Sequence, residues 1–445
     1  MPPLLPILVT LAGIALLLLL VMRFKLQAFI ALLLVSLLVG VAMQMPLQGV
    51  LNSIKKGMAD TLGFVAIVVG LGAMLGRVLE ISGGVERLAQ TLLAQFGEEK
   101  AQWALGLTGF IVGIPIFFDV GFVILVPIVY GLSRKTKRSL LYYGIPLLAG
   151  LAVTHSFVPP TPGPIAVAEI LKADLGAVIA FGILAGIPAT LLGGIVFAKY
   201  IAQRIHVEVP AYFQEAAESH KELPSFAMIA SIIFVPLALI LANTVSGATL
   251  PEDNFFRQAL TFVGHPFVAL LLATLLAIFL LGIKRGYSRA ELQDLTTKAL
   301  EPAGLIILVT GAGGVLKQVL IDSGVGEALG KMMAASPLPP LVLAFLIAAI
   351  IRIAQGSATV AMITAAGLMS PIVTELQVQS THLALMVIAI ASGATILSHV
   401  NDSGFWLVNR YFGLSEKDTL RSWTVMETII AVSGFAVVLL LSLFV

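Results

Sequence analysis

Gly70–Gly83 reads GLGAMLGRVLEISG, and Gly311–Gly324 reads GAGGVLKQVLIDSG. Seven of the fourteen positions are identical at a constant offset of 241: Gly70/Gly311, Gly72/Gly313, Leu75/Leu316, Val78/Val319, Leu79/Leu320, Ser82/Ser323 and Gly83/Gly324. Two more matches follow in the same order near offset 244, Pro127 with Pro371 and Thr154-His155 with Ser398-His399. Three ordered matches indicate an internal duplication.

The surroundings of both copies are apolar. Of 445 residues, 59% are hydrophobic and 11% charged, against about 25% charged in soluble domains. Apolar runs of about 20 residues, the length that crosses a hydrocarbon core of roughly 30 Å, recur along the chain. They fall near 3–22, 26–44, 62–79, 102–132, 139–158, 175–198, 225–245, 258–283, 303–321, 338–374, 382–398 and 424–445. The runs 102–132 and 338–374 are too long for one crossing, so about 12–14 segments are expected. The chain reads as an all-α polytopic membrane protein, since lipid tolerates no open sheet edge. A net charge of +2 gives no sign of a nucleic-acid partner, and zero Cys removes disulfides, thiolate metal sites and cysteine nucleophiles. No cofactor or metal is expected. The first run has no basic start and precedes Arg23 and Lys25, so it reads as a retained helix with its N-terminus outside.

Lys and Arg mark cytoplasmic loops. Arg134–Arg138 (RKTKR) and Lys284–Arg289 (KRGYSR) are the strongest markers, the loop 199–224 is mixed, and 244–257 is acidic. Alternating crossings satisfy all four. The helix after Arg23 and Lys25 then starts inside, and its counterpart near 258–283 starts outside. The copies therefore run in opposite senses, an arrangement many secondary transporters use to build a site at the repeat interface. The expected division is a first helix at 1–22, a first repeat at 23–198, a central loop and connecting helix at 199–257, and a second repeat at 258–445.

Four stretches interrupt the apolar pattern in pairs: Gly113–Phe122 (GIPIFFDVGF) and Thr154–Pro164 (THSFVPPTPGP) in the first half, Arg352–Val360 (RIAQGSATV) and Ser398–Gly404 (SHVNDSG) in the second. Broken helices expose backbone N–H and C=O groups, tolerated at membrane depth only beside protein or a wet cavity. A half-helix N-terminus carries positive partial charge suited to an anion. Gln355, Gly356, Ser357 and Thr359 are candidates to hold a carboxylate this way, with Thr154 and the PPTPGP turn from the other copy. For the glycines Gly70–Gly76, close helix approach is the favoured reading. Arg352 is costly in lipid unless paired or hydrated; it reads as a partner of a substrate carboxylate, or as a snorkelling or structurally paired cation. Asp119, among Phe117, Phe118, Val120 and Phe122, is a candidate proton-coupling carboxylate, with partnership to Arg352 as the alternative. His155 and His399, at matching repeat positions, are candidates to relay protons or bind substrate hydroxyls; a structural role is the alternative for each. Ser398, Asn401, Asp402 and Ser403 supply donors and acceptors for a polyhydroxylated ligand, although Asp402 also suits a helix N-cap. Arg77 and Glu80 read as an i,i+3 pair.

With TLGFVAIVVGLGAMLG, FFDVGFVILVPI, THSFVPPTPGP, GAGGVLKQVLIDSGVG, RIAQGSATVA and SHVNDSGFWL in hand, the chain resembles the gluconate permease family of sugar-acid:proton symporters over essentially its whole length. That resemblance implies proton-driven uptake of gluconate or a related hydroxy acid across the bacterial inner membrane. It also implies two inverted repeats, each with a re-entrant hairpin and an interrupted helix, commonly as a homodimer. Relatives of this kind take gluconate, idonate, fructuronate or D-serine. Asp119 stands where several gluconate-type members have Glu, and Thr161 where many have His; the aspartate looks more like the D-serine branch. Against these readings stand an intramembrane serine protease with Ser357 as nucleophile and His399 as base, which needs no duplication, and a passive channel. No GxxxxGK[ST] loop is present, which argues against primary pumping.

Overall fold

In hydrocarbon a backbone that cannot reach water must bond to itself, and helices do so segment by segment. The structure, a computed structural model, describes residues 4–210, 223–325 and 338–445; the middle of the loop 199–224, with His220 and Lys221, lies outside these residues. Among the described residues every regular element is helical. Eight helices are long and apolar enough to cross a bilayer, and five shorter apolar helices of 10–17 residues accompany them.

The chain opens with α1 (Leu4–Met22), α2 (Ala28–Ala42) and the 35-residue α3 (Leu47–Ile81). After α4 (Gly84–Phe96), α5 (Ala101–Val112) and α6 (Phe118–Thr136) form a hairpin, and α7 (Leu140–Phe157) and α8 (Pro162–Leu171) form one helix interrupted midway. Next comes α9 (Leu175–Thr190), which a π-helical turn carries into α10 (Phe197–Ala202). Beyond the central loop lie α11 (Phe226–Thr249), α12 (Phe255–Val263) and α13 (Pro266–Ala277). The second half then repeats the order: α14 (Arg289–Lys298) with α15 (Leu300–Asp322), the hairpin α16 (Pro340–Gln355) and α17 (Ala358–Glu375), and the interrupted helix α18 (Ser380–Thr395) with α19 (Ser403–Phe412). Last come α20 (Glu416–Thr419), a π-helical turn at Leu420–Thr424, and α21 (Val425–Leu441).

The two over-long apolar runs, 102–132 and 338–374, are the two hairpins. The α5 arm is too short to cross the membrane alone: its twelve residues rise only about 18 Å. The basic residues Arg134 and Lys135 close α6, so this hairpin enters from the cytoplasmic side. Its counterpart α16–α17 enters from the opposite side. The fold is thus two inverted repeats, each with a re-entrant hairpin and an interrupted helix.

Small residues bring the copies together. α3 and α15, which carry the repeated glycine stretch, cross so closely that a Cβ on Gly57 would lie 2.5 Å from Gly314 O. In the first repeat, a Cβ on Gly109 of α5 would lie 2.3 Å from Leu147 O of α7, and one on Gly150 2.3 Å from Gly106 O. Apolar burial yields little where the solvent is itself hydrocarbon, so such close packing is the main cohesive term. Gly76 also serves the site: its Cβ position lies 2.4 Å from Pro115 O, at the tip of the first hairpin.

One expectation is corrected by the helix ends. His155 lies in the last turn of α7, whereas His399 lies beyond the end of α18, inside the break. The gap between α18 and α19 is longer than that between α7 and α8, so the two histidines are not equivalent backbone positions.

Candidate functional site

Each of the four polar stretches is a real interruption: Gly113–Phe117, Val158–Thr161, Gly356–Ser357 and Ile396–Asp402 are not helical. Glycine and proline account for this locally. Gly356 sits at φ +90°, a left-handed backbone that ends α16 and that an L side chain resists. Pro159 and Pro160 stop α7, and Pro162 starts α8.

The second-repeat breaks interlock. Arg352, 3% exposed, donates from Nη2 to Asp402 Oδ2 at 2.6 Å and from Nη1 to the carbonyl of Gly356. Asp402 also accepts from Ser398 Oγ at 2.5 Å, and its other oxygen caps α19 by accepting from Gly404 N at 3.2 Å. Ser398 in turn accepts from Trp423 Nε1 at 2.6 Å, and its carbonyl accepts from Thr424 Oγ1. Asn401 Nδ2 donates to Ile353 O at 3.0 Å, and His399 Nε2 lies 3.0 Å from the same oxygen. A Cβ on Gly356 would meet Asn401 O at 2.2 Å. The loop 396–402 is therefore clamped onto the tip of the second hairpin. Of the readings open for Arg352 and Asp402, the structure displays the ion pair and the N-cap. Ser357 caps α17 through Val360 N at a long 3.4 Å; Ser357 and Thr359 are half-buried, and Asn401 and Ser403 are exposed.

The first-repeat breaks meet in the same way. Thr154 is fully buried and donates to Gly150 O at 3.0 Å; a Cβ on Gly113 would lie 2.2 Å from its hydroxyl. Phe117 meets the His155 ring edge-on, with centroids 6.4 Å apart. Asp119, despite its aromatic neighbours in sequence, is exposed. It occupies the first turn of α6, where a carboxylate is stabilised by the helix dipole. Its pairing with Arg352 is not seen; Asp402 holds that position.

An open-mouthed cavity of about 170 Å³ reaches the first-repeat breaks, lined by Gly72, Gly76, Pro115, Phe117, Pro160 and Thr161, with Arg77, Glu80 and Lys298 also on its wall. Arg77 and Glu80 are the expected i,i+3 pair, at 2.6 Å. Tyr287 of the basic loop donates to Ile81 O at the end of α3, which places this mouth on the cytoplasmic side. Arg352, Asp402 and His399 do not line it.

Among the described residues, six buried side-chain atoms lack a hydrogen-bond partner: His155 Nδ1, Thr190 Oγ1, Arg352 Nε, Gln355 Oε1, Ser392 Oγ and Glu427 Oε1. All lie on broken helices or on α9 and α21, which pack against them. Buried polar atoms are nearly always satisfied, and these six fall on the broken helices and their immediate neighbours. Thr190, Ser392 and Glu427 were not among the sequence candidates. Glu427 had a legible signal, a carboxylate inside the apolar run 424–445; the two hydroxyls had none, since serine and threonine are ordinary in membrane helices.

The model of the GntP family permease matches residues 5–444. The chain is 43% identical to the high-affinity gluconate transporter of Escherichia coli (strain K12), over 98% of this chain and 99% of that protein. It is 42% identical to the Gnt-II system L-idonate transporter of the same organism, over 98% of each chain, and 40% identical to the gluconate permease of Bacillus subtilis (strain 168), over 98% and 99%. In fold it is similar to the crystal structure of the YdaH transporter of Alcanivorax borkumensis, with a TM-score of 0.67 at 15% identity, over 94% of this chain and 98% of that one. With its full length matched and its interrupted helices in place, this multi-pass membrane protein belongs to the GntP family of permeases.

Proposed function

We propose that the chain is a secondary transporter that carries gluconate or a related sugar acid together with protons across the bacterial inner membrane. Names of relatives support the substrate class: they include gluconate and L-idonate transporters at 40–43% identity. The observation that carries the reading is Arg352, a guanidinium 3% exposed at the break between two half-helices, a costly feature in lipid unless it serves an anion or its binding loop.

The four half-helix N-termini differ in what they offer an anion. α19 is already capped by the Asp402 carboxylate. α8 begins at Pro162 with Pro164 close behind, and prolines have no N–H. α6 carries Asp119 in its first turn. α17 has no acid in its first turn and only a long Ser357 cap. In this proposal the substrate carboxylate sits at the start of α17, against Ser357, Thr359 and the N–H groups of that turn. Arg352 supports it from beneath through Gly356 O and Asp402, as a positioning residue. His399, Asn401 and Ser403 then face the sugar hydroxyls. His155 and the exposed Asp119 are the groups at which protons enter from water.

Uptake of labelled gluconate into proteoliposomes under an imposed proton gradient tests the reading. Accumulation that collapses with an uncoupler supports it; entry that ignores both proton and sodium gradients contradicts it. A D-serine reading rests on Asp119, whose carboxylate suits an ammonium group. Competition by D-serine but not by idonate favours that second reading.

A further inference from the structure

We propose that Glu427 is a buried proton-binding site whose occupancy is linked to the Arg352–Asp402 pair, and through it to substrate. The inference rests on the anion–proton symport reading and names the group that holds the proton while the site is closed to water.

Glu427 opens α21 and is 4% exposed, and its Oε1 has no hydrogen-bond partner. An unpaired ionised carboxylate in such a place costs several kcal/mol, and a bound proton removes that cost. The charged groups of the neighbouring break, Arg352 and Asp402, are reached from the turn before α21 through Trp423 and Ser398. Helices α7, α9 and α18 also pack against α21. α7 carries His155 in its last turn, α9 has no charged residue, and α18 carries His382 at its opposite end. The buried hydroxyls of Thr190 on α9 and Ser392 on α18 lie among the same helices. Arg421, in the preceding π-helical turn, is exposed.

A continuous chain of hydrogen bonds joins the π-helical turn before α21 to the pair. Trp423 donates to Ser398 Oγ at 2.6 Å, Ser398 Oγ donates to Asp402 Oδ2 at 2.5 Å, and that oxygen accepts from Arg352 Nη2 at 2.6 Å. Thr424, one helical turn before Glu427, adds its bond to Ser398 O. A shift of the loop 396–402 on substrate binding would therefore pull on the turn that leads directly into the Glu427 end of α21. π-helical turns of this kind recur at functional sites.

Charge counting gives the coupling its sign. Arg352 is positive, Asp402 and Glu427 are each negative when ionised, and a substrate carboxylate adds one more negative charge in a poorly screened space. A proton on Glu427 offsets that addition, so proton and anion each raise the other's affinity. The step balances simply. An O–H bond forms on the Glu427 carboxylate with a proton from water on the side of entry. The same bond breaks to water on the side of release, with no oxidant or leaving group involved.

Two measurements on the full-length protein test this. Infrared titration needs no substrate: the wild type should show a protonated carboxylic-acid band that is missing in Glu427→Gln and persists in Glu427→Asp. Gluconate binding should weaken as pH rises by up to about tenfold per pH unit, the limit for one linked proton. That slope should flatten in Glu427→Gln and return in Glu427→Asp. A wild-type acid band unchanged by Glu427→Gln, or an unaltered slope in that variant, overturns the proposal. If the wild type fails to bind gluconate while the infrared result holds, the substrate reading fails and the proton site stands.

Discussion

Arg352 Nη2 and Asp402 Oδ2 lie 2.6 Å apart, although fifty residues separate them in sequence. The bond ties the tip of the second hairpin to the break of the second interrupted helix. Removing one partner of a buried pair leaves an uncompensated charge, which costs about 3–5 kcal/mol. Arg352→Gln and Asp402→Asn should each lower thermal stability by an amount in that range. The double variant should lose much less than the sum of the two, because neither orphan remains. Additive losses in thermal unfolding would show that the two groups do not stabilise each other.

Gly356 carries two separate demands, its left-handed φ of +90° and the carbonyl of Asn401, 2.2 Å from where a Cβ would sit. Gly286 has a similar φ of +89° with open space around it. Alanine at Gly286 should cost only left-handed strain, about 1–2 kcal/mol. Alanine at Gly356 should cost more and should also displace the loop 396–402, abolishing gluconate binding. Equal melting temperatures for the two variants would mean that the loop does not press on the hairpin tip.

Trp423 is 3% exposed and its indole N–H is taken by Ser398. Trp423→Phe keeps the ring and deletes the donor, leaving a buried hydroxyl short of one bond at a cost of about 1–3 kcal/mol. If that cost falls on the closed form of the loop proposed to face substrate, gluconate affinity should drop about tenfold for each 1.4 kcal/mol. Isothermal titration of purified protein checks it; wild-type affinity would take Trp423 out of the site.

Surface ion pairs should behave differently. Lys298 and Asp294 pair at 2.7 Å with both side chains more than half exposed. Such pairs contribute about 0–1 kcal/mol. Asp294→Ala should leave both stability and uptake near wild type in the same assays, whereas a loss as large as that of Asp402→Asn would mean charge removal anywhere is disruptive.

Much of this architecture was legible in the sequence because its signals are local. Gly356, Pro159 and Pro160 break helices wherever they stand, and Arg134–Arg138 locates the cytoplasmic side without knowledge of packing. The crossing count was blurred because half-helices such as α5 and α16 are apolar yet do not span. Pairings were less legible, since Arg352 had several carboxylates available and only the tertiary fold selects Asp402. Asp119 looked apolar by its neighbours, but its place at the start of α6 leaves its side chain exposed. The match of His155 with His399 came from residue identity, and the unequal breaks after α7 and α18 separate them. Glu427 was visible as a lone acid in an apolar run; that it follows a turn whose Trp423 is bonded through Ser398 and Asp402 to Arg352 is visible only in the tertiary fold.

The most direct test uses proteoliposomes that enclose a pH-sensitive dye, with labelled gluconate added outside at equal starting pH. The account predicts that gluconate entry and acidification of the lumen rise together in the wild type, and that both fail in Arg352→Gln. Gluconate entry with no change in lumenal pH, or undiminished coupled entry in Arg352→Gln, would contradict it.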